Sequence, residues 1–342
     1  MKDQIKYISV IRVIACISVV VLHTFYASAS YAVNEIHNII CLSVRNLMMW
    51  AVPGFVMVSG VLLLDGKREV GLKKIFSKYI MKLFLSLICF SLIFALFDMA
   101  FVSKDISIDF IKNGLTNAFK GTGWSHLWYL YMMIAIYLLL PVYRIVSQNI
   151  TSKELDYFLV VLALFLSVVP VVNKVINMDI PFYICIYTIY PFYLFLGYRI
   201  SQVKVPVILS VGLLIAGVIA VCVITALNFK NRNDLLSLLL ENYSSPLIVV
   251  ISFSAFSLLK NISSIKNNIL NKSIMLIDKC SLGIYLIHMA VLKYIAVSLK
   301  IDPFKYGGTA FICLEALAVF LVSLLLTYIW IWCTGKIIKK QK

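Results

Sequence analysis

Charged side chains are scarce in this sequence. Asp, Glu, Lys and Arg make up 13% of the 342 residues, whereas 62% are hydrophobic. A soluble domain carries about a quarter charged residues, so this composition excludes a water-soluble enzyme. The two-residue alternation of a membrane barrel is also missing, and open strands would leave backbone groups unpaired in lipid. The sequence therefore predicts an all-α integral membrane protein.

Two further kinds of site find no support. The eight cysteines are scattered, nearly all in apolar segments, and no two stand at the spacing of a metal or redox centre. The formal net charge is +16, but no basic stretch is interleaved with aromatics outside the apolar blocks. We therefore expect no metal site and no nucleic-acid partner.

Long apolar blocks dominate what is present. Each is about the length that a helix needs to cross a hydrocarbon core of roughly 30 Å. The sequence predicts about ten transmembrane helices and no soluble domain, so that residues 1–342 form one membrane domain. The predicted spans are 8–27, 39–64, 79–102, 127–146, 156–172, 182–199, 205–227, 245–260, 281–299 and 308–335.

The distribution of Lys and Arg predicts the orientation. If the N-terminus is cytoplasmic, twenty of these residues fall in inner loops and tails, eight in outer loops and three within spans. The positive-inside rule then places both termini in the cytoplasm. The first 30 residues imitate a cleavable signal, but Arg12 within the apolar run is unusual for one, so we expect them to be retained.

The first predicted span contains two ionisable residues, Arg12 and His23. Such groups are costly in hydrocarbon and mark a functional site by default. Eleven residues turn a helix by about 1100° and advance it by about 16.5 Å, so both side chains project from one face. The alternative is a snorkelling arginine and a hydrogen-bonded core histidine, although the shared phase favours a polar path.

A second polar stripe begins the ninth predicted span. Ser281, Tyr285 and His288 lie within about 60° of one another around the helix. They are candidates for binding substrate or stabilising an oxyanion, and the alternative is hydrogen bonding between helices.

Two other segments are candidates for substrate contact. His126 and Trp128 follow a tight Gly-Thr-Gly-Trp turn at the outer start of the fourth span, where aromatics also occur as an interfacial belt. Ser59-Gly60 in the second span permits close helix packing, which is the alternative to a ligand contact for Ser59. His37, in a short outer loop, belongs to no motif.

Together these segments resemble the acyltransferase-3 family of bacterial ten-helix membrane proteins. Each motif is short, but their order along the chain is specific. Lys78 and Lys82 stand where family members often have an Arg-rich stretch, and no proline follows them. The matching segments are Arg12 to His23, Phe55 to Gly60, His126-Leu127-Trp128, Ser281 to His288, Pro141 and Phe195 to Tyr198.

The resemblance implies transfer of an acyl group, typically acetyl, from cytoplasmic acyl-CoA to a hydroxyl or amine of a cell-surface or lipid-linked saccharide. Acyl-CoA is then a donor substrate, and no cofactor is bound permanently. The expected place is the bacterial inner membrane, among its lipids. The implied site residues are His23 and Arg12 for catalysis, Arg12, Lys73, Lys74 and Lys78 for the donor, and His126, Trp128, Ser59, Ser281, Tyr285 and His288 for substrate.

An alternative function uses the same polar path. A transporter or flippase for a small polar solute would also need ionisable groups inside the membrane. The absence of an internal sequence repeat favours the enzyme over the transporter.

Overall fold

A computed structural model of the protein describes residues 2–178, 186–262 and 267–340, with side chains from Tyr7 to Thr334. This part of the chain is helical and contains no strand. The helices are α1 (Lys2–Ser28), α2 (Glu35–Met48), α3 (Ala51–Leu63), α4 (Leu72–Ser103), α5 (Asp109–Lys120), α6 (Trp128–Asn149), α7 (Ser152–Ile176), α8 (Tyr190–Gln202), α9 (Val207–Asn231), α10 (Asp234–Glu241), α11 (Pro246–Lys260), α12 (Asn268–Leu299) and α13 (Thr309–Lys340).

Nine helical segments in the described residues are long and apolar enough to cross a membrane. In the most apolar stretch of α9, 17% of the residues are buried inside the protein, against 72% in the corresponding stretch of the α2–α3 segment. The exposed residues of α9 before Lys230 are apolar, as lipid requires. Helix α9 therefore lies at the periphery and α2–α3 lies in the centre. The prediction of an all-α multi-pass membrane protein is confirmed.

Proline explains the break between α2 and α3. Pro53 has no backbone N–H, so the carbonyl of Met49, four residues earlier, loses its helical partner. The helix is interrupted at Met49 and Trp50 and resumes at Ala51. What the sequence predicts as one span is therefore two helices in line.

Two glycines allow α3 and α8 to touch backbone to backbone. A Cβ atom on Gly60 would lie 1.8 Å from the carbonyl oxygen of Leu194, and one on Gly197 would lie 2.2 Å from that of Met57. Only a residue without a side chain fits either place, which confirms the expected close packing at Ser59-Gly60. Helix α8 is consequently buried along most of its length.

The directions of the helices follow from their contacts. Arg12 pairs with Asp278, and His23 lies against His288, so α1 and α12 run parallel. Helix α13 runs the opposite way, because Ile312 near its start packs on Phe25 near the end of α1. We call the end of the bundle where α1 begins the N-terminal side, and the other end the far side.

Because α1 and α12 run in the same direction, an odd number of membrane crossings must lie between them along the chain. Six of the nine long segments lie between them. The seventh crossing involves α8, which corresponds to the predicted span 182–199. Tyr190 at its start lies against Trp128 near the far side, and Arg199 near its end pairs with Asp156 at the N-terminal side. Residues 182–185 of that span lie outside the described residues.

Two segments that lie between predicted spans contain helical residues. The predicted outer loop 103–126 contains helix α5, which packs on α4 where Gly114 meets the backbone of Leu92. His37 lies in the first turn of α2, because Asn34 caps a helix that begins at Glu35, four residues before the predicted span. Its ring stacks on that of Phe304, with centroids 4.6 Å apart.

Candidate active site

The N-terminal half of the site is an ion pair between α1 and α12. Arg12 Nε lies 2.9 Å from Asp278 Oδ1, and the Ser9 hydroxyl donates to Asp278 Oδ2 at 2.8 Å. The side chain of Asp278 is 16% exposed. Arg12 therefore has the partner that an arginine at this depth needs.

Three histidines meet about 15 Å further along α12, ten residues beyond Asp278. The ring centroids of His23 and His288 are 5.2 Å apart, and those of His126 and His288 are 5.6 Å apart. His126 and His288 are buried, whereas His23 is partly exposed. Three residues that lie far apart in the sequence thus form one cluster, which we call the histidine cluster.

Tyr285 lies next to the histidine cluster, toward the N-terminal side. Its ring centroid is 5.8 Å from that of His126 and 5.9 Å from that of His288, and its hydroxyl donates to the His126 carbonyl. Because that backbone belongs to the turn before α6, this bond fixes α6 against α12. On its other side Tyr285 packs on Tyr129, with ring centroids 5.1 Å apart.

A cavity of about 330 Å³ extends from Tyr285 and Tyr129 toward the N-terminal side. The part of its lining nearest Tyr285 is apolar and aromatic. The part nearest the N-terminal side carries four cationic side chains, and none of the described residues that line the cavity is Asp or Glu. The cations are Arg12, Arg68, Lys78 and Lys82.

These four cations differ from the predicted donor set. Arg12 and Lys78 line the cavity as expected, whereas Lys73 and Lys74 are exposed and lie outside its lining. Sequence reasoning missed Arg68, which reaches the cavity from the loop after α3.

A buried arginine organises that loop. The guanidinium of Arg144 donates to the carbonyls of Leu63 and Arg68, the latter at 2.6 Å, and the Ser147 hydroxyl donates to the carbonyl of Leu64 at 2.9 Å. The side chains of α6 thereby fix the backbone that carries Arg68 into the cavity. Sequence reasoning missed this role of Arg144.

The predicted substrate residues lie in three places. Ser59 and Ser281 line the cavity, and His126 and His288 lie in the histidine cluster above it. Trp128 instead packs with Tyr190 and Tyr243, with ring centroids 6.0 and 5.4 Å away. This aromatic group is near the far side.

The candidate oxyanion donors are already engaged. The Ser281 hydroxyl donates to the carbonyl of Asp278 at 2.9 Å, and the Tyr285 hydroxyl donates to that of His126. Neither proton is free for a transition-state oxygen in this conformation. No group of three or more His, Cys, Asp or Glu side chains within the described ranges is arranged to hold a metal ion.

Comparison with known proteins identifies the family. The model of the acyltransferase-3 family, described as an acyltransferase domain, matches residues 5–335. Searches of curated proteins and of solved structures found no match. The matched region covers nearly the whole chain, including the cationic cavity, Tyr285 and the histidine cluster. The chain therefore belongs to the acyltransferase-3 family of acyl-group transferases.

Proposed function

We propose that the protein transfers an acyl group, most simply acetyl, from acyl-CoA to a hydroxyl group of a saccharide. The observation that carries this proposal is the arrangement of one cavity: cations at its open end, apolar walls along its length, and imidazoles beyond its inner end. Acyl-CoA has the same order of parts, with phosphates at one end and a thioester at the other.

The cationic end suits the phosphates of the donor. Arg12 is held by Asp278 and Arg68 by the loop that Arg144 fixes, so both are ordered before a ligand arrives. Lys78 and Lys82 are exposed and add attraction that salt can screen. Hydrogen bonds to charged groups contribute roughly 1.5 to 3 kcal/mol each, about a tenfold to hundredfold effect on affinity.

His23 is the proposed general base. It makes no hydrogen bond or ion pair with any described residue, and it is the most accessible member of the histidine cluster. A neutral imidazole takes the proton of the acceptor hydroxyl as the oxygen attacks the thioester carbon. The C–S bond then breaks, and the CoA sulfur receives the proton from His23.

The two substrates would approach from opposite sides of the membrane. In this proposal the N-terminal side is cytoplasmic, as the positive-inside rule predicts, and supplies acyl-CoA. The acceptor enters from the far side, past the aromatic group of Trp128, Tyr190 and Tyr243. Aromatic faces offer an apolar surface for a sugar ring.

The test uses purified protein in liposomes. Acetyl-CoA should bind from the N-terminal side, and Lys78→Ala or Arg68→Ala should weaken that binding about tenfold or more. Arg199→Ala is the matched control, because Arg199 lies on the same side but pairs with Asp156 outside the cavity. Protein that catalyses solute counterflow without binding acetyl-CoA would be a transporter, and the proposal would be wrong.

A further inference from the structure

Two buried nitrogen atoms of the histidine cluster have no hydrogen-bond partner among the described residues. They are Nδ1 of His126 and Nε2 of His288, on side chains that are 2% and 0% exposed. Buried polar atoms in proteins are almost always paired, so these two exceptions need an explanation, and a role in binding a ligand supplies one.

The other nitrogen of each ring determines what that partner must be. His126 Nε2 lies 3.3 Å from the carbonyl oxygen of Leu286, and His288 Nδ1 lies 3.2 and 2.6 Å from those of Ile284 and Tyr285. A carbonyl oxygen only accepts, so these ring nitrogens must carry the protons. In a neutral imidazole the remaining nitrogen is then an acceptor. Both unpaired atoms therefore present lone pairs.

We propose, building on the function proposed above, that His126 Nδ1 and His288 Nε2 accept hydrogen bonds from two hydroxyl groups of the acceptor that neighbour the reacting one. His23 takes the proton of the attacking hydroxyl, and the two fixed imidazoles orient the ring that carries it. His126 and His288 are thus positioning residues rather than bases or oxyanion donors.

This assignment sets the chemical class of the acceptor moiety. Two lone pairs in a buried site favour groups that donate hydrogen bonds, and they disfavour carboxylates and phosphates, which only accept. The moiety that enters the histidine cluster is therefore a neutral ring with at least three hydroxyls close together. This excludes a lipid phosphate and an acidic sugar's carboxylate from that position.

The first test reads the tautomers directly and needs no acceptor. Protein labelled with ¹⁵N-histidine has only four histidines, and each signal is assigned by replacing one of them. We expect His126 to be protonated at Nε2 and unprotonated at Nδ1, and His288 to show the reverse, at neutral pH. Either ring with the opposite tautomer, or with both nitrogens protonated, would overturn the proposal.

The second test measures transfer of labelled acetyl groups to an envelope fraction from source cells that lack this protein. His288→Phe and His126→Phe should raise the half-saturating amount of envelope about threefold to tenfold, with unchanged affinity for acetyl-CoA. His288→Gln, which returns an acceptor oxygen, should recover part of the loss, and His37→Gln should have no effect.

The outcomes separate the two proposals. If the Phe variants reduce the maximal rate by a factor of about 10² to 10⁴ without changing half-saturation, these residues transfer protons and the positioning role is wrong. If the wild-type protein binds no acetyl-CoA and transfers nothing, the proposed function fails, whereas the tautomer measurement still decides which nitrogens are acceptors.

Discussion

Replacing Arg12 by glutamine should weaken binding of coenzyme A by two separate effects. The change removes a cation from the cavity, and it leaves the carboxylate of Asp278 unpaired beside the same cavity. The pair is separated by 2.9 Å and its side chains are 32% and 16% exposed, so solvent screens it only in part. The lost contact is worth about 1.5 to 3 kcal/mol. The interaction energy between the two members of the ion pair adds about 0.5 to 3 kcal/mol to the loss of binding free energy. We expect a loss of at least roughly thirtyfold in affinity.

A second substitution separates these effects. Asp278→Asn removes the carboxylate charge but keeps an oxygen for the hydroxyl of Ser9. Alone it should change the affinity little, and combined with Arg12→Gln it should recover about threefold or more of the loss. Titration calorimetry with coenzyme A in lipid nanodiscs measures all four proteins. A double variant as weak as Arg12→Gln, or an equal loss from Asp278→Asn alone, would refute the electrostatic reasoning.

Three further predictions concern catalysis, packing and the loop after α3. His23→Ala should reduce acetyl transfer by about 10² to 10⁴ without changing coenzyme A affinity, whereas His37→Ala should leave both unchanged in the same assays. Gly60→Ala should destabilise the protein by about 1 to 3 kcal/mol in thermal unfolding, because its Cβ atom would overlap a backbone oxygen. Gly212→Ala is the control, because there is open space around its Cβ position, and it should not destabilise the protein. Arg144→Lys keeps the positive charge but loses the planar guanidinium that donates to two carbonyls. It should weaken coenzyme A binding severalfold. Unchanged binding would show that the loop after α3 does not need this support.

Helical phase was the part of the site that the sequence could predict. The 100° turn per residue is enough to place Arg12 and His23 on one face of α1. It also places Ser281, Tyr285 and His288 on one face of α12. Asp278 was missed because the predicted span began at 281, although it lies only about 20° from Tyr285 around the same helix. A span start three residues earlier would have brought the partner of Arg12 into the stripe.

The cations of the cavity were harder to predict, for a physical reason. Lys73, Lys78 and Lys82 are all basic residues at the start of one helix, and composition does not distinguish those that face the cavity from those that face outward. Arg68 reaches the cavity only because Arg144, 76 residues later, holds its carbonyl. A contact over that separation depends on how the helices pack, which no local pattern encodes.

The position of Tyr285 bears on whether transfer needs a covalent acyl-enzyme. Its ring touches Tyr129 on the cavity side and both His126 and His288 on the other. A thioester that reaches the inner end of the cavity is thus one aromatic ring away from the histidine cluster. Direct attack by an acceptor hydroxyl then requires only that Tyr285 move aside, whereas acylation of His23 would require the same movement and add a second step.

The variant Tyr285→Phe, which keeps the ring but lacks the hydrogen bond to the His126 carbonyl, distinguishes direct transfer from an acyl-enzyme. We expect it to retain measurable transfer and to form no labelled protein with radioactive acetyl-CoA, and a stable label lost with His23→Ala would instead favour the acyl-enzyme.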